Sequence, residues 1–315
     1  MSQVQSATRY HFPVTARRAA SVLLPLALLA AILYFYAPAR LFAFVVAGRS
    51  PVCPMSKALA SPEHLKLLTA AKDKILAASR KLEQDADFEH WETPHGRYWI
   101  PKGSQYVLPF NLAEQERRIY ASESVAIRKG DTVLDCGANV GVYTRVALNE
   151  GAGLIIAIEP APENLECLRR NFAPEIAAGK VIIYPKGVWD RNDVLTLHVD
   201  PHNSAADSFV IERQGEHNVL KIPVTTIDML AAELNLARVD FIKMDIEGAE
   251  VKALHGGRAT LAKDHPRLAI SAYHAPDHPV NIPLAVRSAW DGYRMECGPC
   301  AETNWAVRPD VLLFH

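Results

Sequence analysis

Residues 133–141 read VLDCGANVG, an apolar run that ends in an acid and is followed by glycine, asparagine and glycine at alternate positions. The run has the length of a buried strand. The glycines allow a sharp turn in which backbone N–H groups come close to a ligand. The residues after Gly141, VYTRVALNE, suit a helix that starts at the turn. A second apolar strand, at residues 154–158, then ends at Glu159. A carboxylate there, in a strand–helix–strand unit, can hold a ribose diol through two charge-assisted hydrogen bonds. Such a unit confines the chain to an α/β fold, with helices on both faces of a mostly parallel sheet and ligands at the carboxyl ends of its strands.

The loop also discriminates between cofactors. Dinucleotide enzymes carry G-x-G-x-x-G, because a pyrophosphate sits on the helix N-terminus. Here the order is Asp135, Gly137, Asn139 and Gly141. An acid at the strand end repels a pyrophosphate but pairs with an ammonium group. S-adenosylmethionine has an amino-acid end, a sulfonium and a ribose, and no phosphate, so it suits this loop better. A nicotinamide cofactor and a turn without any ligand are the rival readings.

Charge is unevenly placed along the 315 residues. Residues 1–62 contain no acid and six basic residues, which leaves 28 basic against 35 acidic residues in the remainder. An acidic body without a basic, aromatic-rich stripe argues against a nucleic-acid partner. Residues 19–39 are uncharged and mostly apolar, and as a helix they would extend roughly 31 Å, about one hydrocarbon core. Tyr34 and Tyr36 suit an interfacial belt, with Arg17, Arg18 and Arg40 at the ends. The expectation is a single-pass anchor within residues 19–47 after a basic tail at 1–18. The shorter apolar run at 41–47 would lie in the interface or extend a tilted helix. A cleaved signal peptide is the rival, with an n-region and apolar region long for that role. Basic residues flank the span evenly, so orientation rests on cofactor supply, which favours a cytosolic catalytic body.

Residues 48–61 read as a linker. Residues 62–84 read as a helix, with Ser61 as cap and Pro62 in the first turn. Residues 91–109 hold four aromatics and a His95-Gly96 turn, a hairpin that would either close over a substrate or cover the sheet edge. Residues 111–127 read as a helix leading into the domain at 128–315. Of five cysteines, Cys136 lies in the cofactor turn and Cys167 in a helix, which disfavours a disulfide framework. Cys297-Gly-Pro-Cys300 resembles a thioredoxin motif but lacks that fold around it. A turn is the simplest reading, with a metal or disulfide link as the other possibilities.

Alternating strands and helices continue to the C-terminus, with an antiparallel insertion near residues 194–199 and 220–224. This topology gathers Asp135, Glu159, Asp245 and His274 at one sheet edge. Asp245-Ile-Glu-Gly-Ala-Glu250 packs three acids into six residues. Metal binding is one reading of such a cluster. Contact with cofactor or substrate through Asp245 is the preferred one, and nothing in the pattern requires a metal. His274 titrates near neutrality and is the first choice of general base, with His278 and Asp245 behind it.

The segments VLDCGANVGVYTRVAL, IAIEPAPENLECLRRNF, VTTIDMLAAELNLARVDFIKMDIEGAEVKALHGG and AISAYH together resemble the FkbM family of S-adenosylmethionine-dependent methyltransferases. The resemblance covers roughly residues 131–274. It implies a seven-stranded Rossmann-like sheet and O-methylation, often of sugar or polyketide hydroxyls. It also implies that Asp135, Gly137, Asn139 and Gly141 hold the methionine end, that Glu159 holds the ribose, and that Gly187 and Val188 lie near the adenine. The reading is a membrane-anchored O-methyltransferase acting on a small molecule or glycan near that membrane. A non-catalytic cofactor-binding scaffold and a nicotinamide-dependent reductase are the alternatives.

Overall fold

Seven strands form the central sheet of the computed structural model, which describes residues 14–200, 203, 205–211 and 219–315, with side chains from residue 23 onward. The part of the expected basic tail before residue 14 lies outside the described residues. The strands are β1 (Thr132–Cys136), β2 (Leu154–Ile158), β3 (Val181–Tyr184), β4 (Phe241–Met244), β5 (Arg267–Ser271), β6 (Met295–Cys297) and β7 (Val311–Phe314). Their order is β6-β7-β5-β4-β1-β2-β3. The five strands β1–β5 pair in parallel, and β7 runs antiparallel to β5 and β6.

Both sheet faces are covered, as the unbroken apolar strands require. In β1, Leu134 and Cys136 enter one core cluster and Val133 the other. In β2, Ile156 and Ile158 face one way, and Ile155 and Ala157 the other. The strand order reverses between β1 and β4, so the crevice at their carboxyl ends is the place for a ligand. The insertion is present as Asp193–His198 antiparallel to Val219–Thr225, with Gly187–Val188 parallel to the latter.

The N-terminal part departs from several expectations. Helix α1 (Val14–Phe35) stops at Tyr36, and α2 (Ala37–Val46) sets off at 102°. Among the described residues no single helix is long and apolar enough to cross a membrane, although Leu23–Phe35 and Ala37–Val46 pass by length and composition as a bent pair. The cause of the bend is local. Pro38 has no N–H to continue the helical ladder, and the Arg40 guanidinium donates instead to the carbonyls of Leu33 (3.2 Å) and Tyr34 (2.7 Å). The run at 41–47 therefore does not extend a straight span. Leu41 is fully buried against Cys53, Ala58, Cys300 and Val307.

The helix expected at 62–84 is α3 (Met55–Ala78), with Pro62 inside it rather than at its start. Residues 80–84 leave the helix because they pair as a strand, Arg80–Gln84, with Phe88–Thr93. The aromatic hairpin forms between Phe88–Thr93 and Gly96–Pro101 and turns at Gly96, whose φ is +122°. It covers the helix Pro162–Asn171. Asn171 accepts from the Trp99 N–H and donates back to its carbonyl, and Arg170 lies over Phe88 and Trp99. The helix expected at 111–127 is α4 (Val107–Glu116), after which Arg118 turns the chain at φ +51°.

One disulfide joins Cys53 to Cys300, the disulfide link that the sequence left as one possibility for the Cys297-Gly-Pro-Cys300 motif, though not as its simplest reading. Cys136 and Cys167 are free and buried, as core thiols. Cys297-Gly-Pro-Cys300 forms the turn between β6 and the strand Cys300–Thr303. A strand–turn–strand setting lacks the helix that activates a thioredoxin thiol.

Candidate active site

The alternate spacing after β1 is a backbone requirement. Gly137, Asn139 and Gly141 have φ of +77°, +49° and +92°, the left-handed region that glycine and asparagine tolerate. A Cβ at Gly137 would lie 1.9 Å from the Asp245 carbonyl oxygen, and one at Gly141 would lie 2.1 Å from the Phe172 ring. The loop thus lies directly against the chain leaving β4.

A cavity of about 400 Å³ opens at this point. Gly137, Asn139, Glu159, Gly187, Val188 and Asp245, all named from the sequence, line it. Asp135 and Gly141 stand behind the wall. Asp135 is fully buried, and its Oδ2 accepts from Thr144 (2.7 Å). Its Oδ1 lies 3.4 Å from Lys243 Nζ without a hydrogen-bond partner of its own. Lys243 donates to the Gly137 carbonyl (2.9 Å) and forms the cavity floor. Burial penalises the lysine cation, but Asp135 and Asp245 outweigh that penalty and keep it protonated. Lys243 was not singled out in the sequence, where it passes as one residue of a strand.

Glu159 accepts from the Asn139 N–H (2.8 Å) and, through its other oxygen, from the Ala161 N–H (3.0 Å). Burial nevertheless pushes its carboxyl up to about 7, against those hydrogen bonds. Asp207 lines the same end of the cavity near Gly187 and Phe209, and burial pushes it up to about 8.

Asp245 reaches the cavity from the end of β4. Tyr120 donates to its Oδ2 (2.9 Å), and the Tyr273 hydroxyl lies 3.5 Å from its Oδ1. Burial would raise its pKa, but the Lys243 and His274 cations reverse that and hold it below the usual value. Glu247, next in the loop, has φ +51°, a strained conformation for its residue type.

His274 is placed differently from the expectation of a base in the site. Its side chain is 3% exposed and lies behind the cavity wall. Nδ1 lies 2.8 Å from Glu250, and Nε2 lies 3.3 Å from Glu247 and 3.5 Å from Asp245. Burial disfavours its charge, yet Glu250, Glu247 and Asp245 raise its pKa well above the ordinary value. An imidazolium among three carboxylates already holds its proton. Asp245, Glu250 and His274 can each bring one ligand atom within 4.8 Å of the others, and this charge pairing accounts for their convergence. His278, the fallback base, is also buried, with Nδ1 3.6 Å from Glu250.

The opposite wall comes from α3 and α4. Lys72, Tyr106, Phe110, Asn111, Glu114 and Gln115 line it. Tyr106 and Phe110 are 70% and 42% exposed, so their faces are available to a ligand. Glu114 is buried, and burial together with nearby Asp245 pushes its carboxyl well above the usual range. Burial thus disfavours a charge on the acid that Glu114 presents to the cavity. The aromatic segment contributes Tyr106 here, and the Trp91–Trp99 hairpin itself lies elsewhere. No sequence signal marked Glu114, because an acid on an amphipathic helix reads as solvated.

The sequence model of a family described as Methyltransferase FkbM domain matches residues 135–293. Among curated relatives, the chain is 28% identical over 168 residues to 31-O-demethyl-FK506 methyltransferase FkbM of Streptomyces tacrolimicus. That match covers 44% of this chain and 64% of the relative. It is 24% identical over 146 residues to 2-O-methyltransferase NoeI of Sinorhizobium fredii, covering 42% and 59%. The chain thus spans just under two thirds of the length of these relatives. The crystal structure of Methyltransferase FkbM from Methylobacillus flagellatus KT is similar at 19% identity, with a TM-score of 0.42, covering 81% of this chain and 60% of that one.

Proposed function

This chain belongs to the FkbM methyltransferase family, an enzyme family whose methyl donor is S-adenosylmethionine, and on that premise we propose that it is an O-methyltransferase for a hydroxyl-bearing acceptor. The observation that carries the reading is the cavity's two-sided construction: a carboxylate-lined cofactor wall at the strand ends faces an aromatic and polar wall from α4. The donor fits the first wall. The backbone turns tightly at Gly137, where a Cβ would meet the Asp245 carbonyl, and Glu159 offers its carboxylate to a ribose diol. Asp135 and Lys243 fix the loop from beneath. Gly187, Val188 and Asp207 form the end suited to adenine, with Asp207 accepting from an exocyclic amine.

When bound, S-adenosylmethionine supplies a methyl group already activated by its sulfonium. The protein's task is then alignment and removal of one proton. We assign that proton to Asp245 rather than His274, since Asp245 faces the cavity and is held ionised. A carboxylate of low pKa accepts the proton only as the new C–O bond forms and the hydroxyl oxygen becomes acidic. His274 acts behind it as a positioning cation. Glu114, neutral, donates a hydrogen bond to another acceptor oxygen.

Aromatic faces at Tyr106 and Phe110, with Asn111, Gln115 and Glu114 between them, suit the apolar face and hydroxyl edge of a sugar ring. Residues 23–32 are apolar and exposed around the helix, a surface that a lipid phase would cover. We propose that this end associates with a membrane and that the acceptor is a glycan or glycolipid near it. Vesicle flotation of the full chain against a chain lacking residues 1–47 tests the association. Tritium transfer from labelled S-adenosylmethionine to lipid-linked and free sugars tests the acceptor. Equal rates on both sugars would remove the membrane from the reading. Cofactor binding without transfer to any hydroxyl would favour the scaffold.

A further inference from the structure

Three cysteines converge where the N-terminal helices meet the catalytic domain, all outside the family-matched residues 135–293. Cys53, just ahead of α3, is bonded to Cys300 across 247 residues, with Cα atoms 6.5 Å apart. Cys297 carries a free thiol, half-buried, with its Sγ 3.0 Å from the Val52 carbonyl. The three sulfurs lie within 4.8 Å of one another. Gly298 and Pro299 hold the free thiol and the bridged Cys300 sulfur at the two ends of one turn.

The cluster does not depend on the covalent bond alone. Arg40 pairs with both oxygens of Glu302 (2.6 and 2.9 Å), and the Val307 N–H donates to the Arg49 carbonyl (2.9 Å). Phe44 meets Trp305 edge-on, and Leu41, Ala58 and Val307 are buried around the sulfurs. These contacts hold α2 and the start of α3 against the Cys300–Thr303 hairpin when the bond opens.

We propose that Cys53, Cys297 and Cys300 form a thiol–disulfide exchange site, in which the bond passes between a Cys53–Cys300 tether and a Cys297–Cys300 ring. Burial pushes the Cys297 thiol up to about 11, so it is the minor deprotonated fraction of this sulfur that attacks the Cys300 sulfur. The Cys300–Cys53 bond breaks as the Cys297–Cys300 bond forms, and Cys53 leaves as a thiolate that takes up a proton. One disulfide is lost and one gained, so no external oxidant or reductant is consumed. A bond across 247 residues restrains the unfolded chain far more than one across a short turn. Folding therefore favours the tether, and the ring appears where local packing loosens. Release of Cys53 removes the covalent link to α3, the helix that carries Lys72 to the acceptor wall, and leaves the non-covalent contacts alone to hold it.

The full chain, equilibrated in a glutathione redox buffer, acid-quenched and alkylated, gives the linkages by peptide mass mapping. The wild type is expected to show the tether as the main form and the ring as a minor one, with Cys53 alkylated in proportion to the ring. Cys53→Ser protein is expected to convert fully to the ring, and Cys297→Ser protein to show the tether alone. A wild type that shows only the tether, with Cys297 the sole labelled thiol of the three, overturns the proposal whatever the variants do.

Discussion

The two walls of the cavity are built in different ways. The strand-end wall is backbone: positive φ at residues 137, 139 and 141, and no space for a Cβ at Gly137. The α4 wall is side chain, with Tyr106 and Phe110 exposed beyond the residues the family model matches. A ligand common to many relatives needs a wall that cannot vary. An acceptor particular to one enzyme needs a wall whose side chains can change without disturbing the sheet. Changes at the glycine turn and at Glu159 should therefore weaken cofactor binding, and those on the second wall should alter acceptor use alone.

The largest effect is expected from Gly137→Val, which meets both the left-handed φ and the Asp245 carbonyl. Binding of S-adenosylmethionine should fall beyond detection while circular dichroism retains the helical signal. Retained micromolar binding would break the distinction between the walls. Asp245→Asn should lower kcat by about 10²-fold or more with cofactor affinity changed far less. Loss confined to KM would move the proton elsewhere. Tyr106→Ala and Phe110→Ala should each raise the acceptor KM by about tenfold, the size of one lost aromatic contact, with the cofactor Kd unchanged. Glu114 sharpens the comparison. If it acts as a neutral donor, Glu114→Gln should retain activity within a few-fold, while Glu114→Ala should lose about tenfold.

The smallest effect concerns pH. Glu159 is raised to about 7, so the free protein still holds much of that proton near neutrality. A group raised in the folded state costs stability as it ionises, and its contribution falls as pH rises from its unfolded value through about 7. Cofactor binding has the opposite slope, because ribose hydroxyls donate to the carboxylate. Affinity should rise severalfold from about pH 6 to 8, measured by calorimetry, and Glu159→Gln should flatten the lower part of that rise.

The strand-end wall was legible in the sequence because its determinants are local. A strand, a turn and a ribose acid lie within residues 133–159, and glycine spacing reports φ directly. Asp245 was legible for the same reason. The α4 wall was not, since Glu114 takes its character first from burial in the assembled fold and then from Asp245, far away in the sequence. His274 was visible as a histidine at a strand end, but its charge is set by Glu247 and Glu250 packing around it. The Cys53–Cys300 bond was hidden because it depends on the N- and C-terminal parts meeting, whereas the bend at Tyr36 has a local cause in Pro38 that a count of apolar residues passes over. Arg40 closes the bend while pairing with Glu302. Residues 80–84 carried a helical charge pattern that strand pairing overrode.

One calorimetric titration addresses the central claim. S-adenosylmethionine is titrated into the full chain, the Glu159→Ala variant and the Tyr106→Ala, Phe110→Ala double variant, each with its fold verified. Micromolar binding by the wild type and the double variant, lost in Glu159→Ala, is the expected result. Absence of binding by the folded wild type, or equal losses in both variants, would contradict a cofactor wall separate from an acceptor wall.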